Sequence, residues 1–111
     1  MTLFSKIYNG EIPSEIIYED EYVFAINDIS PIAPIHVLVI PKEEIATIND
    51  VNPTNEHLLG KIVLAAKHIA AEKGLSERGY RLVFNCNADA GQSIFHIHCH
   101  LIGGKQLNWG A

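Results

Sequence analysis

The pattern of apolar and polar residues predicts five short strands, one long helix and a short helix at the N-terminus. Apolar residues at helical spacing in residues 3–7 indicate the short helix, which ends near residues 9–10. Runs of β-branched and aromatic residues predict strands at residues 16–19, 22–27, 35–40, 80–86 and 94–102. Only Asp20 and Glu21 separate the first two strands, which therefore form a hairpin.

The largest predicted element is a helix over residues 52–74. Asn52 followed by Pro53 is typical of a helix start, because asparagine caps the first turn and proline is tolerated at the first helical position. Gly74 fits the C-terminal end. One apolar stripe repeats with helical period, at Leu58, Leu59, Ile62, Val63, Ala66, Ile69 and Ala70. Tight turns imply antiparallel strands, so we predict an α+β fold: a single domain of residues 1–111 with an antiparallel β meander sheet, one long helix and a short N-terminal helix.

Three histidines occupy alternate positions in the last predicted strand. Because successive side chains of a strand point to opposite faces, His96, His98 and His100 share one face. The other face carries apolar residues, as expected for a face packed into the core, namely Ile97, Cys99 and Leu101. Such a row indicates a site that uses imidazoles as metal ligands, nucleophiles or proton carriers.

Strand geometry disfavours a metal site that uses all three histidines. His96 and His100 are separated by about 13 Å at about 3.3 Å per residue, whereas zinc–nitrogen bonds are about 2.0 Å long. A neighbouring pair remains able to share a metal. A nucleophilic role fits better, since a neutral imidazole whose N–H is held by an acceptor can attack through its other nitrogen. His36, in the third predicted strand, is by itself equally typical of a core histidine.

Composition and charge limit the classes of partner. The chain has 111 residues and a formal net charge of −5, which offers no broad attraction for nucleic acid. No apolar run is long enough to span a bilayer, and the first residues lack the basic and apolar segments of a signal peptide. Two cysteines, Cys86 and Cys99, provide no disulfide framework. We therefore expect a cytoplasmic protein that binds neither nucleic acid nor membranes.

Two motifs that agree in order and spacing resemble the histidine triad (HIT) superfamily, and in particular its Hint-like branch. The first is the pattern His-φ-His-φ-His-φ-φ at residues 96–102, where φ is apolar. It is accompanied by Asn85, residues 89–93, Gly103-Gly104 and Trp109. The second motif is DISPIAPIHVLVIPK at residues 28–42. The resemblance extends from about Leu3 to Trp109 and implies the fold of that superfamily.

The resemblance implies a hydrolase in which the middle histidine attacks phosphorus. His98 is then the nucleophile, and His96 and His36 orient the row or couple its protons. The Ser93 hydroxyl is a candidate to bond or protonate the leaving nitrogen, although Gly91-Gln92-Ser93 alone is also typical of an ordinary turn. Phosphoryl oxygens gain charge during attack and need donors held in place, for which the candidates are His100 and the backbone N–H groups of Gln92 and Ser93.

Other residues are expected to bind the nucleotide. By the same resemblance Asp28 accepts hydrogen bonds from both ribose hydroxyls. Asn85 suits a ribose or phosphate contact, and Gly91 permits close approach of the ligand to the backbone. The resemblance also implies a slot for the base, formed by Leu3, Phe4, Ile7, Ile26 and Ile29.

The implied reaction is hydrolysis of the P–N bond of purine nucleoside 5′-phosphoramidates, through a nucleotidyl-histidine, without a cofactor. Two alternatives stay open: a dinucleoside polyphosphate hydrolase, and a nucleotide-binding interaction module with vestigial catalysis. Some relatives hold a structural zinc with Cys-x-x-Cys and a histidine, where this chain has Thr2, Ser5 and Glu44, so we expect no metal. The resemblance also implies a homodimer, in which the tail with Trp109 reaches toward the partner's site.

Overall fold

A five-stranded antiparallel sheet forms the framework of the protein, and two helices lie against it. The structure, a computed structural model, describes residues 1–110, so the predicted domain end at residue 111 lies outside the described residues. The elements are α1 (Leu3–Tyr8), β1 (Ile16–Glu19), β2 (Val23–Asn27), β3 (Ile35–Pro41), α2 (His57–Glu72), β4 (Tyr80–Val83) and β5 (Cys99–Gly103). The predicted α+β class, with one long and one short helix on an antiparallel sheet, is confirmed.

The strands lie in the order β1-β2-β3-β5-β4 across the sheet. The first three follow one another as a meander. The chain then passes through α2 to the far edge, and β5 returns to pair with β3, so the last two strands depart from a simple meander. In this central pair His36 lies opposite Ile102, and Leu38 lies opposite His100. The strand order therefore brings the histidines of β3 and β5 onto neighbouring strands.

The last strand is shorter than predicted at its N-terminal end. It begins at Cys99, not at residue 94, because β3 ends at Pro41, which has no N–H to extend the ladder. The Ile97 N–H instead donates to the Ile45 carbonyl over 2.7 Å. His96 and His98 consequently lie in the segment that leads into β5, and only His100 lies in the strand.

Two further boundaries differ from the prediction. Regular helix begins at His57 and not at residue 52, because asparagine side chains close tight turns ahead of it. The Asn52 side chain accepts a hydrogen bond from the Thr54 N–H (2.9 Å), and the Asn55 side chain accepts one from the Asn52 N–H (2.8 Å). The fourth strand ends at Val83 and does not reach residue 86.

Both faces of the sheet are covered by a helix. On one face α2 packs with the alternate strand residues Val23, Ala25, Val37, Val39, Cys99 and Leu101. On the other, Phe4 and Ile7 of α1 pack with Phe24, Ile26, Leu38 and Ile40. Strand alternation places His36 and His100 on the α1 face. Within residues 1–110, no helix is long and apolar enough to cross a bilayer.

Candidate active site

A cavity of about 430 Å³ lies between α1 and the sheet face that carries the histidines. Most of its wall is apolar, and a few polar groups converge on it. It is lined by Leu3, Phe4, Ile7, Ile12, Pro13, Ser14, Ile26, Asn27, Asp28, Ile29, Leu38, Ser93, Ile94, His98 and His100. This volume and this mixture of walls are typical of sites for small molecules.

The backbone determines which nitrogen of His98 carries the proton. His98 Nδ1 lies 2.8 Å from the His96 carbonyl oxygen, which can only accept, so Nδ1 is the protonated nitrogen of the neutral ring. Nε2 then carries the lone pair. None of the described residues bonds to Nε2. Because every buried side-chain nitrogen and oxygen of these residues has a hydrogen-bond partner, Nε2 is not a buried atom and is accessible. Burial lowers the pKa of His98 and outweighs the opposing effects of the His96 carbonyl and Asp28. A neutral ring with this proton arrangement is competent as a nucleophile.

A chain of hydrogen bonds determines which nitrogen of His100 carries the proton. The Ile32 N–H donates to His36 Nδ1 (3.2 Å), so the proton of neutral His36 is on Nε2. That N–H donates to His100 Nδ1 over 2.9 Å, which leaves the His100 proton on Nε2. Burial lowers the pKa of His100 to about 4, with smaller effects of His98 and His36 in the same direction. His100 is therefore a neutral ring with one N–H available to an acceptor.

Asp28 adds a carboxylate to the same wall. Its Oδ1 accepts from the Ser30 N–H (2.8 Å), and its Oδ2 lies 3.4 Å from His36 Nε2. The carboxylate thus keeps acceptor capacity toward the cavity that it lines.

His96 is fully buried and does not line the cavity. Its Nε2 lies 2.7 Å from the Pro41 carbonyl oxygen and its Nδ1 lies 2.6 Å from Thr2 Oγ1. The Phe4 ring stands edge-on to both His96 and His98, at centroid distances of 5.7 and 5.0 Å. His96 is in a position to orient its neighbours but not to touch a ligand in the cavity.

Of the other predicted catalytic and nucleotide-binding residues, the structure brings some to the cavity and leaves others outside. Leu3, Phe4, Ile7, Ile26, Asp28, Ile29 and Ser93 line it, whereas Asn85, Gly91, Gln92 and His36 do not. Gln92 supports the loop instead: its side chain accepts from the Asn87 N–H (2.8 Å) and donates to the Ala46 carbonyl (2.8 Å). The Gln92 N–H donates to the Asn87 carbonyl (3.1 Å) within the loop, and its contact with a phosphoryl oxygen stays a prediction.

Sequence reasoning missed six residues of the cavity wall. They are Ile12, Pro13, Ser14, Asn27, Leu38 and Ile94. Leu38 had a usable signal, because it alternates with His36 on β3 and must share its face. Residues 12–14 form part of the wall only because the chain after α1 returns toward the sheet, and no local pattern indicates this.

Two groups of side chains bear on metal binding. Ligand atoms of Asp28, His36 and His100 lie within 4.8 Å of one another. However, the hydrogen bonds from the Ile32 N–H to His36 and from His36 to His100 already use both nitrogens of His36 and one nitrogen of His100. The positions at which some relatives hold zinc do come together here. Thr2, Ser5 and Glu44 bond to one another around one carboxylate oxygen, a set of oxygen ligands that lacks the sulfur and nitrogen typical of structural zinc. The absence of a metal stays a prediction.

Comparison with known proteins identifies the family. A family model described as HIT domain matches residues 9–107. The chain is 50% identical over 106 residues, 96% of this chain and 89% of the relative, to a protein of Escherichia coli strain K12 named purine nucleoside phosphoramidase. A HIT family hydrolase from Legionella pneumophila Philadelphia 1 has a crystal structure with TM-score 0.94 and 53% identity, covering 98% of this chain and 97% of that one. A HIT family hydrolase from Clostridium thermocellum matches with TM-score 0.91 and 49% identity, covering 99% and 94%. This chain therefore belongs to the HIT domain family.

Proposed function

We propose that this protein is a nucleoside phosphoramidase, which hydrolyses the P–N bond of purine nucleoside 5′-phosphoramidates to the nucleoside monophosphate and an amine. The 50% identity to a protein named purine nucleoside phosphoramidase supports this reaction and a purine substrate. The observation that carries the proposal is the state of His98. It is neutral, its Nδ1 proton is held by the His96 carbonyl, and its accessible Nε2 stands beside a cavity large enough for a nucleotide.

In the first step the lone pair of His98 Nε2 attacks phosphorus. A P–N bond to histidine forms, and the P–N bond of the substrate breaks. The leaving nitrogen gains a proton from solvent through the Ser93 hydroxyl, which lines the cavity. The His96 carbonyl accepts the Nδ1 proton in a hydrogen bond and thereby stabilises the positive charge that develops on the ring.

His100 and Asp28 are proposed to bind the nucleotide during attack. The His100 Nε2–H donates to a phosphoryl oxygen, and the chain through His36 holds this proton on the correct nitrogen. Asp28 accepts from the ribose hydroxyls. The apolar wall formed by Phe4, Ile7 and Ile26 receives the base.

In the second step a water molecule attacks phosphorus and the bond between phosphorus and His98 Nε2 breaks. The water supplies the new P–O bond and gives a proton to solvent. The nucleoside monophosphate leaves, and His98 returns to its neutral form. The sum is one substrate and one water in, one nucleotide and one amine out.

Rapid-quench mass spectrometry tests the proposal. Stoichiometric adenosine 5′-phosphoramidate is mixed with the protein and quenched in alkali, where a phosphorus–histidine bond survives. We expect a mass increase of one adenylyl group, located on the peptide that contains His98. Binding without an adduct and without turnover would support the interaction module, and a higher kcat/KM for diadenosine tetraphosphate than for the phosphoramidate would support the polyphosphate hydrolase.

A further inference from the structure

A chain of hydrogen bonds leads from the surface to the buried His96 ring. The exposed Glu44 carboxylate accepts from the Thr2 N–H (2.8 Å) and from the Ser5 hydroxyl (2.5 Å). Thr2 Oγ1 lies 3.3 Å from Ser5 Oγ and 2.6 Å from His96 Nδ1. The far nitrogen of the ring, Nε2, faces the Pro41 carbonyl. Here the carboxylate, the two hydroxyl groups and His96 are together called the Glu44 network.

The donors and acceptors of the Glu44 network can be assigned one by one. The Pro41 carbonyl only accepts, so the His96 proton is on Nε2 and Nδ1 needs a donor. A carboxylate also only accepts, so the Ser5 hydroxyl proton is directed to Glu44. The Thr2 hydroxyl is thereby left to donate its single proton to His96 Nδ1, while its oxygen accepts from the Ser5 N–H (3.1 Å). Neither hydroxyl proton then lies between Ser5 Oγ and Thr2 Oγ1, so the two residues are joined by the bond from the Ser5 N–H to Thr2 Oγ1 and by their shared carboxylate acceptor, Glu44.

Glu44 remains charged, as this assignment requires. The Ser5 hydroxyl and then the Thr2 N–H lower the pKa of the Glu44 carboxyl, with smaller contributions from the charged N-terminus and His96. Burial lowers the pKa of His96 and favours its neutral form. The network therefore joins a carboxylate to a neutral imidazole through Thr2, whose N–H donates to Glu44 and whose hydroxyl donates to His96 Nδ1. Ser5 bonds to both Glu44 and Thr2 and supports this link.

The network reaches the cavity by two routes, although none of its members lines the cavity. The His96 carbonyl oxygen holds His98 Nδ1, so a rotation of the His96 residue displaces His98. Thr2 also caps the N-terminus of α1 and Ser5 lies in its first turn, next to Phe4, which contacts both imidazole rings edge-on. Glu44, which lies after β3, therefore connects the start of α1, which forms one wall of the cavity, to the segment that contains His96 and His98.

We propose that Glu44, acting through Ser5 and Thr2, is a positioning residue that holds the Thr2 hydroxyl on His96 Nδ1 and thereby sets the orientation of the His96 ring, and through the His96 carbonyl the orientation of His98. Its contribution to turnover rests on the proposed phosphoramidase function. Its effect on the His96 ring does not depend on that function.

The kinetic test compares substitutions along the network with matched controls. Thr2→Val removes the hydroxyl at nearly constant shape, and Glu44→Leu removes the carboxylate. Thr2→Val loses the bond to the buried ring, and Glu44→Leu loses the acceptor that holds Thr2 and Ser5 in place. We therefore expect each to lower kcat by roughly 5- to 30-fold, in the range for an unpaired buried polar group. KM for adenosine 5′-phosphoramidate should change much less. Thr2→Ser should restore most of kcat, and Glu43→Leu, on the exposed neighbouring glutamate, should leave kcat and KM unchanged.

Nitrogen-15 NMR of the imidazole rings gives a readout that does not need turnover. Wild-type protein should show His96 protonated on Nε2, with the Nδ1 signal of a hydrogen-bond acceptor. In Thr2→Val the Nδ1 signal should shift toward the value of an unbonded imidazole nitrogen, and Thr2→Ser should return it. The proposal is overturned if His96 is protonated on Nδ1 in the wild type, or if its nitrogen signals move in neither Thr2→Val nor Glu44→Leu. It is also overturned if the signals move in these variants while kcat stays within twofold of the wild-type value. Failure of the phosphoramidase proposal would appear separately, as a wild-type protein without turnover, and the nitrogen signals would still decide the role of Glu44 at His96.

Discussion

Backbone groups, and not charges, determine the proton positions of the four clustered imidazoles. The Ile32 N–H sets His36, and His36 in turn sets His100. The carbonyls of Pro41 and His96 set His96 and His98. Because a backbone group is either a donor or an acceptor and cannot titrate, this arrangement keeps one nitrogen of His98 unprotonated and one N–H of His100 available.

Replacement of His98 tests the nucleophile. We expect His98→Ala to lower turnover of adenosine 5′-phosphoramidate by roughly 10³-fold or more, the scale on which loss of a covalent nucleophile is felt. The fold and the Kd for a nucleoside monophosphate should change little, since the half-buried ring only borders the cavity. The matched control is His68→Ala, at an exposed histidine of α2 that pairs with Glu72. Wild-type turnover in His98→Ala would refute the assignment.

The pH dependence of activity follows from the same rings. Burial lowers the pKa of His98 below 6.5 and that of His100 to about 4. Since attack needs an unprotonated His98, kcat/KM should be level at neutral pH and should fall only at pH values below 6.5. A profile of kcat/KM against pH measures this, and a decline that begins above 6.5 would contradict it.

The stability of the fold, like kcat/KM, should decrease as the pH falls. Unfolded histidine binds protons with a pKa near 6.5, whereas His100 in the folded protein does so near 4. Between these values the unfolded state binds more protons, so the free energy of unfolding should fall as the pH falls through this window. Denaturant titrations at several pH values measure the effect, and His100→Asn should reduce the slope. An equal slope in that variant would assign the acid sensitivity to other groups.

Asp28 is the residue to which we assign ribose recognition. Loss of its contact should raise KM for nucleoside substrates in Asp28→Ala by about 5- to 150-fold, which corresponds to roughly 1–3 kcal/mol for an unpaired hydrogen-bonding group. Asp89→Ala, at an exposed position outside the cavity wall, is the control. If wild-type protein treats ribose and 2′,3′-dideoxyribose substrates alike, Asp28 makes no such contact.

At the scale of elements, the β1–β2 hairpin shows how a side chain replaces a glycine turn. The turn has no glycine, but the Asp20 carboxylate accepts from the Tyr22 N–H (2.8 Å) and the Val23 N–H (2.9 Å). An aspartate that bonds the backbone two and three residues ahead closes the chain in the manner of an Asx turn. This hairpin then fixes β2, whose Ile26 and Asn27 reach the cavity.

Loss of that turn should destabilise the protein without a direct effect on the chemistry. We expect Asp20→Ala to lower the free energy of unfolding by about 1–2 kcal/mol, the usual cost of a lost side-chain cap. Asp20→Asn keeps an acceptor oxygen and should recover much of the loss. Urea denaturation measures both, and equal stability of wild type and Asp20→Ala would show that the bonds contribute nothing.

At the scale of the whole molecule, the far edge of the sheet suits association with a second copy. β4 is an edge strand, with one side unpaired among the described residues, and such an edge invites pairing. The long helix α2, which packs against β2, β3 and β5, exposes Val63, at 40%. These features support the predicted homodimer, in which Trp109, 94% exposed here, is expected to approach the partner's site.

Light scattering at micromolar concentration should give twice the chain mass of 12.3 kDa. Val63→Glu should shift the protein toward the monomer, because it places a charge on the apolar surface that a partner would bury. Leu64→Glu is the matched control: Leu64 borders a hollow with Tyr18 and Tyr22 at the β1–β2 hairpin, away from β4. A wild-type monomer would reject the dimer.

Sequence patterns determined those parts of the fold that depend on neighbouring residues. The 3.6-residue period identified α2, and alternation separated His98 and His100 from the core residues Cys99 and Leu101. They could not reveal which strands are neighbours. β2 is buried on both faces, so its residues show no alternation of apolar and polar positions. Its pattern therefore does not distinguish Ile26, which faces the cavity, from the other core residues of the strand.

The histidine row shows where local inference stops. The sequence by itself determined the spacing of the three histidines and, with the motif at residues 28–42, the resemblance to the family. Only the tertiary structure decided that β5 pairs with β3, that His100 therefore meets His36, and that the Gln92 N–H is already bonded. It also decided that His96 is buried against Pro41 and Thr2 and not presented to the cavity. The reason is physical: spacing is a property of one strand, whereas hydrogen-bond partners 55, 64 and 94 residues apart exist only after the chain has packed.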